Sequence, residues 1–187
     1  MRKLLDTLYQ TAMIAAVVAM VSIALLVFIQ ILGRLTDRVL MGFGADAIGI
    51  AIPSLAEIGG FLFVASSFLA LPATLRVGGH VRVTMVSGNL PPRAAHVMAC
   101  FVLIAAFALG VFAAWHAWLQ VLDSWQFNSV SFGMIRIPLW IPQGAMALGL
   151  VIFAIALLDE LLCALRGHDP AYRRAEKAKG ADALEGH

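Results

Sequence analysis

Residues 7–33, TLYQTAMIAAVVAMVSIALLVFIQILG, run for 27 positions without an Asp, Glu, Lys or Arg. As a helix this stretch reaches about 40 Å, more than the roughly 30 Å of a bilayer's hydrocarbon core. Three more stretches share the property: 58–75, 94–122 and 137–158, of 18, 29 and 22 residues. Lipid offers an open backbone no hydrogen-bond partner, so each must be helical. The pattern predicts an all-α integral membrane protein with four transmembrane helices, at about 11–33, 55–75, 94–121 and 140–162. They form a body over 1–165, followed by a charged cytoplasmic tail at 166–187.

Composition agrees. Of 187 residues 61% are hydrophobic and 13% charged, where a soluble domain carries about a quarter charged. The mean hydropathy is +0.91. A net charge of +2, scattered along the chain, leaves no footprint for nucleic acid. The first apolar run is too long for the 7–15-residue core of a cleaved signal peptide, so it reads as a retained helix. Cys100 and Cys163 lack CxxC spacing and predict neither disulfide nor metal site.

Basic residues set the orientation. Arg2 and Lys3, then Arg76, Arg82 and Arg93, then Arg166, Arg173, Arg174, Lys177 and Lys179 place ten charges on one side; Arg34, Arg38 and Arg136 place three on the other. The positive-inside rule makes both termini cytoplasmic. Trp115, Trp118, Trp125 and Trp140 flank the loop assigned to the outside, where indole rings favour the headgroup level.

Between the first two spans, 34–54 is too apolar for a free loop and is expected to lie partly in the interface. Pro72 removes a backbone donor near the inner end of the second span. The inner loop contains Gly78-Gly79 and closes on Leu90-Pro91-Pro92. In the third span Ala106, Gly110 and Ala114 form a ridge at i, i+4 and i+8 that admits another helix closely; chance enrichment in an Ala-rich chain is the alternative. Asp159 and Glu160 stand at the wrong pole of the helix dipole, so the fourth helix should continue to about Leu165, with the two acids on a solvated face or, as the alternative, paired with the loop arginines.

Few residues suggest chemistry. Glu57 is the only carboxylate in the first three spans and sits in the first turn of the second, where it suits a helix N-terminus or an ion pair. Buried at mid-depth it would instead be a proton site. Gln30 and Arg34, at i and i+4, should share a face, with Arg34 snorkelling, pairing with Glu57, or clamping a substrate carboxylate. His96 and His116 lie on one span about 30 Å apart, which does not suit a membrane haem and leaves two interfacial histidines. His80 lies in a basic loop facing solvent or lipid headgroups.

Gln30-Ile31-Leu32-Gly33-Arg34, Glu57 opening the second span, Arg76-Val77-Gly78-Gly79-His80-Val81-Arg82-Val83, Leu90-Pro91-Pro92-Arg93 and Ile137-Pro138-Leu139-Trp140-Ile141-Pro142-Gln143-Gly144 follow one another in order. In that order the chain resembles, over roughly residues 5–165, the small membrane subunit of tripartite ATP-independent periplasmic (TRAP) transporters, the DctQ type. The family often carries an acid where Thr84 stands, so any ion pair made by that acid is missing here.

The resemblance implies a non-enzymatic importer in the bacterial inner membrane. A periplasmic solute-binding protein captures an organic acid, and a large membrane subunit moves it by an elevator motion using sodium. The small subunit supports the large one. Sodium and solute would be bound by the large subunit, leaving this chain without a cofactor. Gln30, Arg34, Glu57, Arg76, His80, Arg82, Pro138, Trp140 and Gly144 are then expected to be structural or to meet the partner, with Arg76, His80 and Arg82 facing it or anionic lipid.

Two rivals lead elsewhere. An autonomous homodimeric exporter would use Glu57 as its proton site and need it at mid-depth. A redox anchor would need haem ligands on two spans.

Overall fold

The computed structural model describes residues 2–44, 46–49, 51–77 and 91–166. It contains four helices: α1 (Arg2–Gly42), α2 (Leu55–Arg76), α3 (Pro92–Gln126) and α4 (Trp140–Leu165). All four are long and apolar enough to cross a membrane, and no strand occurs among the described residues. The chain is a multi-pass helical membrane protein. His80, Arg82 and the tail 167–187 lie outside the described residues.

The helices stand in an open row. α1 packs on α2, α2 on α4 and α4 on α3, while α1 barely touches α4. Neighbours alternate in direction. Arg76 at the end of α2 meets Asp6 near the start of α1, and Trp125 at the end of α3 meets Trp140 at the start of α4. One end of the row, here the base, therefore carries Asp6, Arg76 and Asp159. The other, the top, carries the connections 43–54 and 127–139. Half of the most apolar stretch of α4 is buried, against 17% of that of α1. α4 is the spine, and α1 and α3 are edges.

Packing explains the order. On α1, Tyr9, Ala12, Ala16, Ala19, Gln30 and Gly33 are buried, with Ile23, Leu26, Asp37 and Leu40 half-buried between and beyond them. These steps of three and four make a continuous heptad seam, which keeps one narrow stripe against α2 along a slightly supercoiled path. The alanines let the helices approach closely, where lipid provides no hydrophobic force to drive them together. Beyond half-buried Leu5, Leu8 and Ser22, the other described side chains of α1 are exposed, Ile14, Leu25 and Phe28 included.

The α2–α4 seam depends on Gly149. A Cβ there would stand 2.6 Å from the carbonyl carbon of Phe68 and 2.7 Å from its oxygen. Phe68 lies four residues before Pro72, which is inside α2 and fully buried. Pro72 has no N–H for the Phe68 carbonyl, and its ring crowds that carbonyl outward. Glycine on α4 leaves the room the displaced group needs.

On α3 the ridge faces α4. Gly110 and Ala114 are buried, and a Cβ on Gly110 would meet Leu157 Cδ1 at 3.2 Å and Ala154 Cβ at 3.9 Å. The partner that the spacing admits is the chain's own fourth helix.

Helix ends depart from the expected spans. α1 continues nine residues past Gly33, because 34–41 contains neither Gly nor Pro, and stops at Gly42-Phe43-Gly44, with Gly44 at φ +78°. The connection expected at 34–54 is thus helix over its first part. α4 ends at Leu165. Glu160 is 2% exposed, which overturns the solvated acidic face expected for it.

Candidate functional site

Polar side chains gather at the two ends of the row. At the top, two seam positions of α1 hold the returning connection. Gln30 Oε1 accepts the Ile52 N–H at 2.7 Å, and Asp37 Oδ1 accepts those of Ile48 at 2.8 Å and Gly49 at 3.1 Å. Gln30 and Asp37 are seven residues apart, one heptad, so both face the same side. Asp37 escaped the sequence reading, which looked for charge within spans. The heptad continuing through Gly33 to position 37 was the available signal.

The connection 127–139 is itself ordered. Ser131 N–H donates to the Ile137 carbonyl at 2.9 Å and Leu139 N–H to that of Ser129 at 2.9 Å, with a lone bridge between Val130 and Pro138. Ser131 Oγ donates to the Ile135 carbonyl and accepts the Ile137 N–H. The loop is fastened to α2 through Ser54, whose Oγ accepts the Ile135 N–H at 3.1 Å. Ser54 sits at φ 55°, a left-handed conformation that non-glycine residues adopt at some cost.

Glu57 lies beneath this loop, half-buried, with Oε2 shielded from solvent and without a hydrogen-bond partner. It presses against Gly133, where an added Cβ would fall 1.8 Å from Oε2. Arg34 does not reach it. Arg34 is exposed, and no ion pair joins the two. This corrects the pairing offered by the sequence, and helix register gives the reason. With Asp6 beside Arg76, and Met13 beside Ala73 in one groove, Glu57 comes level with about residues 25–29 of α1. That is roughly 10 Å below Arg34 by helical rise. Azimuth matters as well: Gly33, not Arg34, follows Gln30 along the seam.

Other expected positions are structural in kind. The Pro138 carbonyl accepts the Ile141 N–H at 3.2 Å, opening α4. Trp140 packs edge-on against Trp125, ring centroids 4.9 Å apart. Gly144 is half-buried, with open space where a Cβ would point.

At the base, Arg76 Nη1 donates to Asp6 Oδ1 at 2.5 Å, and its guanidinium carbon stands 5.2 Å from the centre of the Tyr9 ring. The sequence assigned Arg76 to the partner or to lipid; the structure uses it first to tie α2 to α1.

Between the ends the interior is apolar but for Ser66, whose hydroxyl donates to the Phe63 carbonyl of its own helix. Tyr9, Ala12, Ala16, Leu69, Leu75, Leu103, Ile152, Ala156, Leu157, Leu161 and Ala164 form the core. Among the described residues no three His, Cys, Asp or Glu side chains converge as for a metal ion, and no charged side chain is buried at mid-height. Such a body can hold a shape in a bilayer but lines no path for a charged solute.

No protein of curated function matches the chain. The model of the DctQ component of tripartite ATP-independent periplasmic transporters matches residues 23–167, which take in the second half of α1 and the whole of α2, α3 and α4. A four-helix apolar body with its polar groups at the ends, matched over most of its length, therefore belongs to the DctQ family: it is the small membrane subunit of a TRAP transporter, a transporter component and not an enzyme.

Proposed function

We propose that this chain forms part of the fixed frame of a sodium-coupled importer of organic acids in the bacterial inner membrane. A large elevator subunit slides against that frame, and a periplasmic binding protein delivers the solute. Sodium and solute are bound by the large subunit. The base of the row faces the cytoplasm, a reading supported by ten of the thirteen basic residues falling at the termini and in the segment 76–93.

The observation that carries this reading is the open row with an apolar interior. A solute path through a membrane needs buried polar ligands, commonly at broken helices near mid-depth. Here α2 runs unbroken through Pro72, and the carboxylates of Glu57 and Glu160 lie at opposite ends. The same placement weighs against a proton-coupled exporter built on Glu57.

The test is reconstitution into liposomes. The chain alone is expected to move no solute. With the large subunit, the binding protein and an inward sodium gradient, carboxylate uptake is expected. Transport by the chain alone, abolished by Glu57→Gln, would overturn the proposal in favour of the exporter.

A further inference from the structure

The outward face of α3 carries two polar side chains where lipid tails should lie. The register of α3 on α4 fixes their height. Trp125 meets Trp140, Trp115 and Val151 line one apolar groove, and Gly110 abuts Ala154 and Leu157. This spacing brings His116 level with Gly149, so that uncharged polar groups, unlike the charged ones, are not confined to the ends of the row. Gly149 in turn lies against Phe68, and both stand near the middles of the uncharged stretches 137–158 and 58–75. His116 is therefore within the hydrocarbon layer and not at the interface, as the length of α3 alone suggested. The surplus length of α3 lies toward its base.

His116 and Gln120, at i and i+4, share a face and are exposed, and the His116 ring packs on exposed Phe112 with centroids 4.3 Å apart. Neither side chain forms a hydrogen bond among the described residues. α3 is an edge helix, and no other described helix covers this face. Lipid tails neither donate nor accept hydrogen bonds, and polar side chains at this depth normally face protein or a water-filled cavity.

We infer that the face of α3 bearing Leu109, Phe112, His116 and Gln120 is where the large membrane subunit docks, offering hydrogen-bonding groups at mid-depth; this rests on the subunit reading above. A second copy of the chain is the poorer occupant. Asp123 lies on the same face at i+7 from His116 and is exposed. A twofold axis along the membrane normal would set Asp123 against Asp123, and α3 carries no Lys or Arg but Arg93 at its other end to offset the repulsion. A different subunit can supply a donor or a basic group at that height.

The experiment places a benzophenone photo-crosslinking amino acid at position 112 or 120 of the tagged chain, co-expressed with the large membrane subunit of its transporter. Irradiation in membranes is expected to give an adduct with the large subunit from both positions. Co-purification of the two subunits with adducts to lipid alone would overturn the inference and leave the subunit reading standing. So would a covalent dimer of this chain. Failure of the large subunit to co-purify at all would overturn both.

A second measurement uses His116→Leu combined with Gln120→Leu, checked for monodisperse elution and unchanged helix content. Recovery of the large subunit should fall roughly three-fold or more, the scale of a lost interhelical hydrogen bond. His116→Gln, which keeps a hydrogen-bonding group, should retain most of it. Full recovery with both leucines in place would mean that lipid covers the face, and would overturn the inference.

Discussion

Replacing Gly149 with alanine tests how α2 and α4 fit together. The added Cβ would stand 2.6 Å, 2.7 Å and 2.9 Å from the carbonyl carbon, oxygen and Cβ of Phe68. Two of these atoms are backbone, so no rotamer change relieves the contact. Ordinary van der Waals spacing requires the helices to part by close to an ångström. A gap of 0.5–1 Å already forfeits about a quarter to a half of each dispersion contact along the seam, and overpacking of a tight core costs about 1–3 kcal/mol. Alanine returns about 1 kcal/mol in helix propensity, which leaves a net loss of about 0–2 kcal/mol. Gly144 supplies the control. Its Cβ direction is open, so Gly144→Ala should keep the propensity gain. The difference between the two variants, about 1–3 kcal/mol, cancels propensity and isolates the steric contribution. Unfolding in mixed micelles with rising dodecyl sulfate, followed by tryptophan fluorescence, would measure it. Pro72→Ala should recover part of the loss, because it restores an N–H to the Phe68 carbonyl and draws that group back into its helix. Equal stability of Gly149→Ala and Gly144→Ala would refute the close approach and its tie to Pro72.

Three further outcomes are expected. Gly133→Ala should dislodge the Glu57 carboxylate and loosen the 127–139 connection, seen as faster amide exchange at Ile135 and Ile137, and Glu57→Ala in the same chain should reverse the effect. Asp37→Ala strips the acceptor from Ile48 and Gly49 and should expose 46–53 to proteolysis, whereas Asp37→Asn keeps an acceptor oxygen and should not. At the base, Asp6→Asn should cost no more than about 1 kcal/mol in the same micelle unfolding, because the ion pair is partly exposed, while Arg76→Ala should cost more, losing the Tyr9 ring contact as well.

The four helices were legible because a bilayer imposes a coarse rule: about 20 residues without charge must be helix. What that rule marks is where lipid ends, not where a helix ends. Arg34 closes the first uncharged stretch, yet nothing in 34–41 breaks a helix and α1 continues to Gly42. The same confusion placed Arg34 beside Glu57 and His116 at the interface. Both judgements measured depth along one helix from its own charges, whereas height in the folded chain follows from how neighbouring helices slide against each other. That register is set by Gly149 under Phe68 and by Gly110 against Leu157, contacts between residues far apart in sequence. The anchoring roles of Gln30 and Asp37 were legible in principle, since they lie on the heptad that runs the length of α1. A search for charged residues inside spans passes over a polar residue that holds a loop from just beyond one.

An open row, rather than a closed bundle, follows from where the small residues are buried. In lipid the removal of apolar surface from water no longer favours one helix pairing over another, so helices associate where their backbones come close enough for dispersion contacts to add up. α1 buries Ala12, Ala16 and Ala19 against α2, α4 offers Gly149 to α2, and α3 turns Gly110 and Ala114 to α4. Each seam has its own small-residue contact, and each such contact is used once. What α1 presents outward is large and apolar, Ile14, Leu25 and Phe28 among others, and what α3 presents outward includes Leu109 and Phe112. Closing the row would pack these bulky faces against each other at no gain over lipid, and would break seams already in close contact. A row also keeps both edges free. For the proposed role of widening the fixed part of a larger transporter, free edges are useful: one can be built into the partner while the other stays in lipid. The placement of His116 and Gln120 on α3, against the wholly apolar Ile14, Leu25 and Phe28 of α1, distinguishes the two edges.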